Sequence, residues 1–174
     1  MIRITALPDE RLANIGPLSN EIRNQRQGRM PLLYRVLLNS PPVAQGWLSF
    51  FTAIRQQSLL SKRTMELAIL RVTQMFDAQH EFDSHVPFAL RSGLQEDLIA
   101  QLSSWRTSDS FSRQDREILD YVEEVTHGNL RDATYEAVAA TLSEQEILEL
   151  TVTIAAYGMV SRLSGALRIA TAPT

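Results

Sequence analysis

An all-α fold is what this chain predicts, and three observations predict it. Only seven glycines and seven prolines punctuate its 174 residues. No stretch sustains the period-two alternation of a half-buried strand. Apolar residues instead recur at helical spacing between residues that cap and stop helices. A chain of this length builds one domain with a real core, or two small helical halves that share one. The reading places an N-terminal arm and first helix in residues 1–30 and one helical domain in residues 31–170.

Taken in order, a short extended arm is followed by a polar piece over residues 8–29, with 24–28 read as a mobile connection. Pro31 suits the first turn of a short helix through Leu38. Asn39, Ser40, Pro41 and Pro42 end it and start another, to about Gln57, with Trp47, Phe50, Phe51 and Ile54 on its inner face. Ser61 reads as the N-cap of a central helix. There Met65, Leu67, Ile69, Leu70, Val72, Met75 and Phe76 form a broad apolar surface. Residues 77–79 break it, and a second helix runs to a stop at Gly93. A short amphipathic helix is expected over about 95–105, then a polar connection to Ser110. Ser112 caps a helix through Val125, broken by His127, Gly128 and Asn129. A further helix covers about 132–141, and Leu142-Ser143 opens a long final helix from Glu144 to near Ile169. Pro173 reads as part of a frayed tail. Leu60-Ser61 leading to Glu66-Leu67 echoes Leu142-Ser143 leading to Glu149-Leu150 with a one-residue shift, the pattern of two roughly similar helical halves.

Composition excludes several classes of function. The net charge of −3 carries no electrostatic footprint for nucleic acid. No apolar run approaches the roughly 18–20 residues of a membrane span. The start, MIRITALPDERLANIG, has no secretory core, so a cytoplasmic protein is expected. With no cysteine, this chain alone supplies no disulfide, thiolate zinc site or thiol redox chemistry.

Chemistry concentrates in residues 60–93, where a polar cluster interrupts two apolar helices. Glu66 falls on the apolar face of the first helix, and His80, Glu81 and His85 lie on the second. Glu81 and His85 are one helical turn apart, where a carboxylate orients an imidazole. His80 points about 140° away from His85 at 100° per residue, so both reach one point only if the helix starts near His80. A carboxyl on an apolar face is partly desolvated, which suits it to proton transfer near neutral pH. The plainer alternatives are a structural ion pair of Glu66 with Arg63, Arg71 or Arg162, a satisfied core His85 and a solvated His80. Arg162 reads as a buried cation that needs an anion, either Glu66 or a substrate carboxylate, with Tyr157 a weaker substrate-binding candidate. His127 reads as a favourable charge at a helix C-terminus. Trp47, Phe50 and Phe51 read as core or oligomer interface. A zincin-type site is disfavoured, because the two histidines of HEFDSH stand five residues apart where the metalloprotease motif needs four. No metal is expected.

These residues also carry a resemblance. The run ELAILRV from Glu66, AQHE at 78–81, His85 and ALRSGL at 89–94 resemble the carboxymuconolactone decarboxylase and alkyl hydroperoxidase D superfamily. DREILDYVEEVT at 115–126 and LSEQEILELTVTIAAYGMVSRL at 142–163 extend the likeness across most of residues 31–170. In the peroxidase branch the glutamate is followed at twelve and fifteen residues by two cysteines and at nineteen by a histidine. Those positions here are Ala78, Glu81 and His85, with His80 as the inner histidine. The thiolate nucleophile of that branch has no replacement in Ala78 or Glu81. The resemblance therefore implies an AhpD-like helical fold and the decarboxylase side of the superfamily, whose members work without metal or organic cofactor. It implies Glu66, His80, Glu81 and His85 as a proton relay, His85 shuttling the proton and Glu81 setting its tautomer. The substrate would be small and carboxylated or lactone-like, and isomerisation or lactone hydrolysis would use the same groups. A homo-oligomer, trimer or hexamer, is implied as well. The alternatives are a non-catalytic oligomeric ligand-binding protein on the same fold, and the peroxidase activity of a generic family label.

Overall fold

The computed structural model describes residues 2–169, and the tail expected around Pro173 lies outside them. The described residues are mostly helical, with no strand among them. The chain divides into two compact units, one holding the chain up to Gln57 with the C-terminal stretch from Ser164, the other Ser58–Leu163.

In the first unit, residues 8–29 hold two helices where the sequence predicts one first helix and a mobile connection: α1 (Asp9–Ile15) and α2 (Pro17–Gln25). Leu12 and Ile22 bury their side chains, which is what gives this polar piece a reason to order. The connection closes through a bond from the Gly28 N–H to the Arg23 carbonyl at 2.8 Å, with Gln27 and Gly28 at positive φ. α3 (Leu32–Leu37) and α4 (Pro41–Thr52) follow, Pro41 taking a first-turn position where its missing N–H costs nothing. The helix then widens into a π turn over Ala53–Gln57. Phe51 and Ile54 are buried, but Phe50 is 41% exposed, so the inner face is narrower than the aromatic run suggests. Arg35 ties down the arm, donating to Asp9 at 2.7 Å and to the Leu7 carbonyl at 2.9 Å.

The second unit is built on α5 (Lys62–Met75). Ser61 caps it as expected, accepting from the Thr64 N–H. From Met65 to Leu70 every side chain is buried, so this helix is wrapped on all sides by protein. It packs against α6 (Gln79–Arg91) and α8 (Arg113–His127). The reversal into α6 uses three residues. Asp77 takes a left-handed φ of 51°, its N–H bonds the Gln74 carbonyl, and the Ala78 N–H bonds the Thr73 carbonyl. This is a Schellman closure, with aspartate where glycine is usual. Gly93 ends α6 the same way, at φ 96°.

The helix expected over 95–105 breaks in two: α7 (Glu96–Ala100) and a 3₁₀ turn at Leu102–Ser104. Ser104 folds its hydroxyl back onto the Gln101 carbonyl, a local bond that competes with helix continuation. Trp105 is instead fixed by its indole N–H, which donates to Glu123 at 2.7 Å. Ser112 and Asp115 form a capping box on α8, and Gly128 ends it in the left-handed region. His127, in the last turn, is exposed as the reading at that C-terminus required. α9 (Asp132–Ala139) and α10 (Glu144–Leu167) complete the described chain. α10 is long and apolar enough by composition to cross a bilayer, contrary to the expectation that no run reaches that length. Half of its apolar window is buried in the protein.

Two predictions follow from this packing. Leu70 is fully buried, and Leu70→Ala is expected to destabilise by about 2–5 kcal/mol, read as a lower midpoint in a denaturant titration. Burial pushes the Asp115 carboxyl up, but hydrogen bonds from Arg63 and Ser112 outweigh it and its net shift is down. Its stabilisation is therefore complete above about pH 4 and is lost as pH falls through the lowered folded value. Asp115→Asn should lower the thermal midpoint at pH 7 and flatten its decline in acid; an unchanged acid limb would refute this assignment.

Candidate active site

Glu66 sits in the middle of the buried run of α5, and a carboxyl there needs a polar partner. The three arginines that sequence offered are used elsewhere or turned away. Arg63 pairs with Asp115 at 2.5 Å. Arg71 donates to Glu123 at 2.5 Å and to Gln74 at 2.6 Å. Arg162 is exposed, with its guanidinium over the Phe76 ring at 4.5 Å. The buried-cation reading of Arg162 is thereby corrected: its position on α10 leaves it at the surface.

The group that meets Glu66 is His85. Its Nδ1 lies 2.8 Å from Glu66 Oε2, and both side chains are only 9% exposed. An ionised Glu66 selects the tautomer with the proton on Nδ1 and leaves Nε2 as the working nitrogen. The imidazole is held on two further sides. The Tyr157 ring meets it edge-on at 5.0 Å and 90°, and Phe88 is tilted against it at 5.7 Å.

Glu81 does not orient His85, although it stands one turn away on α6. It is buried, and its Oε2 has no hydrogen-bond partner among the described residues. A buried unsatisfied carboxyl oxygen is costly, and in native proteins it asks for a reason. His80 is exposed on the first turn of α6 and joins neither carboxylate. The helix does begin beside it, at Gln79, but the start directs His80 to solvent rather than to His85. The structure thus brings together Glu66, His85 and Tyr157, keeps Glu81 buried one turn away, and leaves His80 and Arg162 exposed. Among the described residues, no group of three or more histidine, aspartate or glutamate side chains is arranged to hold a metal ion.

Sequence reasoning singled out neither Phe88 nor the pairing of Phe76 with Gly158. A Cβ at Gly158 would stand 3.2 Å from Arg162 Nη1 and 3.4 Å from the Phe76 ring. The legible signal was the one-turn spacing of Gly158 and Arg162.

Comparison with known proteins finds relatives in sequence and in fold. The sequence model of the Carboxymuconolactone decarboxylase family matches residues 41–124. The uncharacterized protein YnjA of Escherichia coli K12 is 29% identical over 145 residues, covering 82% of this chain and 74% of its own. A protein of unknown function from Agrobacterium tumefaciens superposes with a TM-score of 0.69 at 27% identity, over 75% of this chain and 90% of its own. A peroxidase-related protein from Ralstonia eutropha JMP134, described as an alkylhydroperoxidase AhpD core, superposes with a TM-score of 0.77 at 15% identity. That match covers 99% of this chain and 92% of the other, and it shows the shared fold.

The pair makes a measurable prediction. A double-mutant cycle on Glu66→Gln and His85→Gln, followed by denaturant unfolding, should return a coupling of about 1–3 kcal/mol. Additive single effects would mean the contact contributes nothing to folding.

Proposed function

We propose that this cysteine-less chain, whose residues 41–124 match the model of the Carboxymuconolactone decarboxylase family, is an acid–base enzyme acting on a small carboxylated or lactone-like substrate. The observation that carries this reading is the buried Glu66–His85 pair beside a buried carboxyl, Glu81, with an unspent oxygen. Thiol peroxidase chemistry needs a thiolate, and this chain supplies none.

In a decarboxylation, the carbon–carbon bond to the departing CO₂ breaks and its electron pair moves through the adjacent carbon into a neighbouring carbonyl, forming an enolate. A proton must then reach that carbon. Nε2 of His85 first takes a proton from solvent, Glu66 stabilises the resulting imidazolium through Nδ1, and Nε2–H then delivers the proton to carbon and leaves the ring neutral. Glu66, rather than Glu81, takes the orienting role, and Glu81 offers the substrate a polar anchor through Oε2. Tyr157 and Phe88 hold the ring and keep water from its faces. No role falls to His80. The groups serve an isomerisation or a lactone hydrolysis equally, and the reaction uses only side chains of this chain. The resemblance further supports a cytoplasmic homo-oligomer, and the exposed Leu148 and Met159 of α10 suit such an assembly.

A second reading is favoured by one observation, the near-complete burial of the pair. On it, the protein binds a small ligand on the same fold and the pair is structural.

The test compares wild type, His85→Ala and Glu66→Gln on carboxylated lactones and keto acids, and on an organic hydroperoxide with a dithiol. The expected result is turnover of a lactone or keto acid, reduced on the order of 10²–10⁴-fold in a His85→Ala variant that keeps its circular dichroism. Peroxide consumption that depends on His85 would overturn the reading. Silence on every substrate, with a large stability loss in the variant, would favour the ligand-binding protein.

A further inference from the structure

Arg162 is a cation set on a prepared seat with its hydrogen-bonding capacity unspent. Its guanidinium carbon lies 4.5 Å over the ring of Phe76, the residue that closes α5. Its Nη1 stands 3.2 Å from the point where a Cβ of Gly158 would be, one turn earlier on α10. Gly158 is buried, so the missing side chain is what admits the guanidinium there. The ring's π face attracts the cation without using any of the guanidinium's N–H donors. Among the described residues those donors make no hydrogen bond and no ion pair. Asp77, next to Phe76 in sequence and exposed, is not within ion-pair distance of it.

The seat adjoins the candidate active site. Gly158 directly follows Tyr157, whose ring packs on His85. Phe76 lies three residues before α6, the helix that carries Glu81 and His85. A stacked arginine with a free fork matches a carboxylate, which it binds through two parallel hydrogen bonds. Holding the group in place beforehand reduces the ordering cost that a free surface arginine would carry on binding.

We propose that Gly158 and Phe76 position Arg162 as the receptor for the carboxylate of the substrate, which makes the substrate an anion that enters beside Phe76 and Arg162. The proposal deepens the functional reading above and rests on it for the identity of the ligand as substrate. Arg162 is the binding residue; Gly158 and Phe76 act through it.

The experiment titrates benzoate and its neutral counterpart benzamide into the full chain, with binding read by calorimetry and by shifts of the arginine Nε–H signals in NMR. Wild type should bind benzoate about tenfold or more tightly than benzamide, the contribution of one charge-assisted pair. Arg162→Gln should abolish that preference, and Arg162→Lys should restore part of it. Gly158→Ala should weaken benzoate several-fold and leave benzamide unchanged, because a Cβ displaces the guanidinium. Phe76→Leu, which removes the platform without adding bulk, should do the same if Gly158→Ala fails to fold. Equal binding of the two probes by wild type, no binding of either, or an unchanged preference in Arg162→Gln would overturn the proposal. None of these readouts requires turnover, so a failed lactone assay with intact benzoate preference rejects the catalytic reading alone.

Discussion

A carboxyl group in the middle of a helix buried on every side is the constraint around which the second unit is arranged. α5 presents only buried side chains from Met65 to Leu70, and Glu66 is among them. Leaving such a group unpaired costs more than most single contacts return. The partner is His85, nineteen residues along the chain and on the next helix. Reaching it requires α6 to fold straight back along α5. The reversal at Phe76, Asp77 and Ala78 supplies that turn by placing Asp77 in a left-handed conformation that most residues avoid.

The charges of α8 make this pairing exclusive. Asp115 holds Arg63, while Glu123 accepts from Arg71, Trp105 and Arg106. Burial pushes Glu123 up, but these donors outweigh it and its net shift is down. The arginines that flank Glu66 in sequence are therefore satisfied by α8, and an imidazole is left for Glu66. An imidazole can give and take a proton near neutral pH, which an arginine cannot. The same buried carboxyl would be mere structure beside Arg71 and becomes a candidate acid–base pair beside His85.

The fold itself says little about chemistry, since one scaffold hosts many reactions. The peroxidase-related protein of Ralstonia eutropha shares it nearly end to end at 15% identity. What separates this chain from thiol chemistry is the lack of any cysteine: the sequence resemblance sets Ala78 and Glu81 against the two cysteines of the peroxidase branch. Glu81 is a carboxyl buried with one oxygen unpaired.

Most of the fold was legible because it is written in short-range signals. Ser61 and Ser112 cap, Gly93 and Gly128 stop, and apolar residues recur at helical period; each acts within a turn or two of itself. Residues 95–105 break in two because a serine's bond to its own neighbourhood outcompetes a weak helical pattern, and residues 8–29 hold a second helix beyond the one predicted because two buried apolar side chains order an otherwise polar piece. The site was legible as a list of residues but not as a set of contacts. Spacing on one helix joined Glu81 to His85, yet the bond runs to Glu66 on another helix, where burial makes pairing obligatory. Sequence alone therefore determined the helices, their ends and the absence of a thiol. The tertiary structure decided which carboxylate holds the imidazole, that His80 faces water, and that Arg162 lies on Phe76. Those choices depend on which faces two separate helices turn toward each other, a relation that no local pattern encodes.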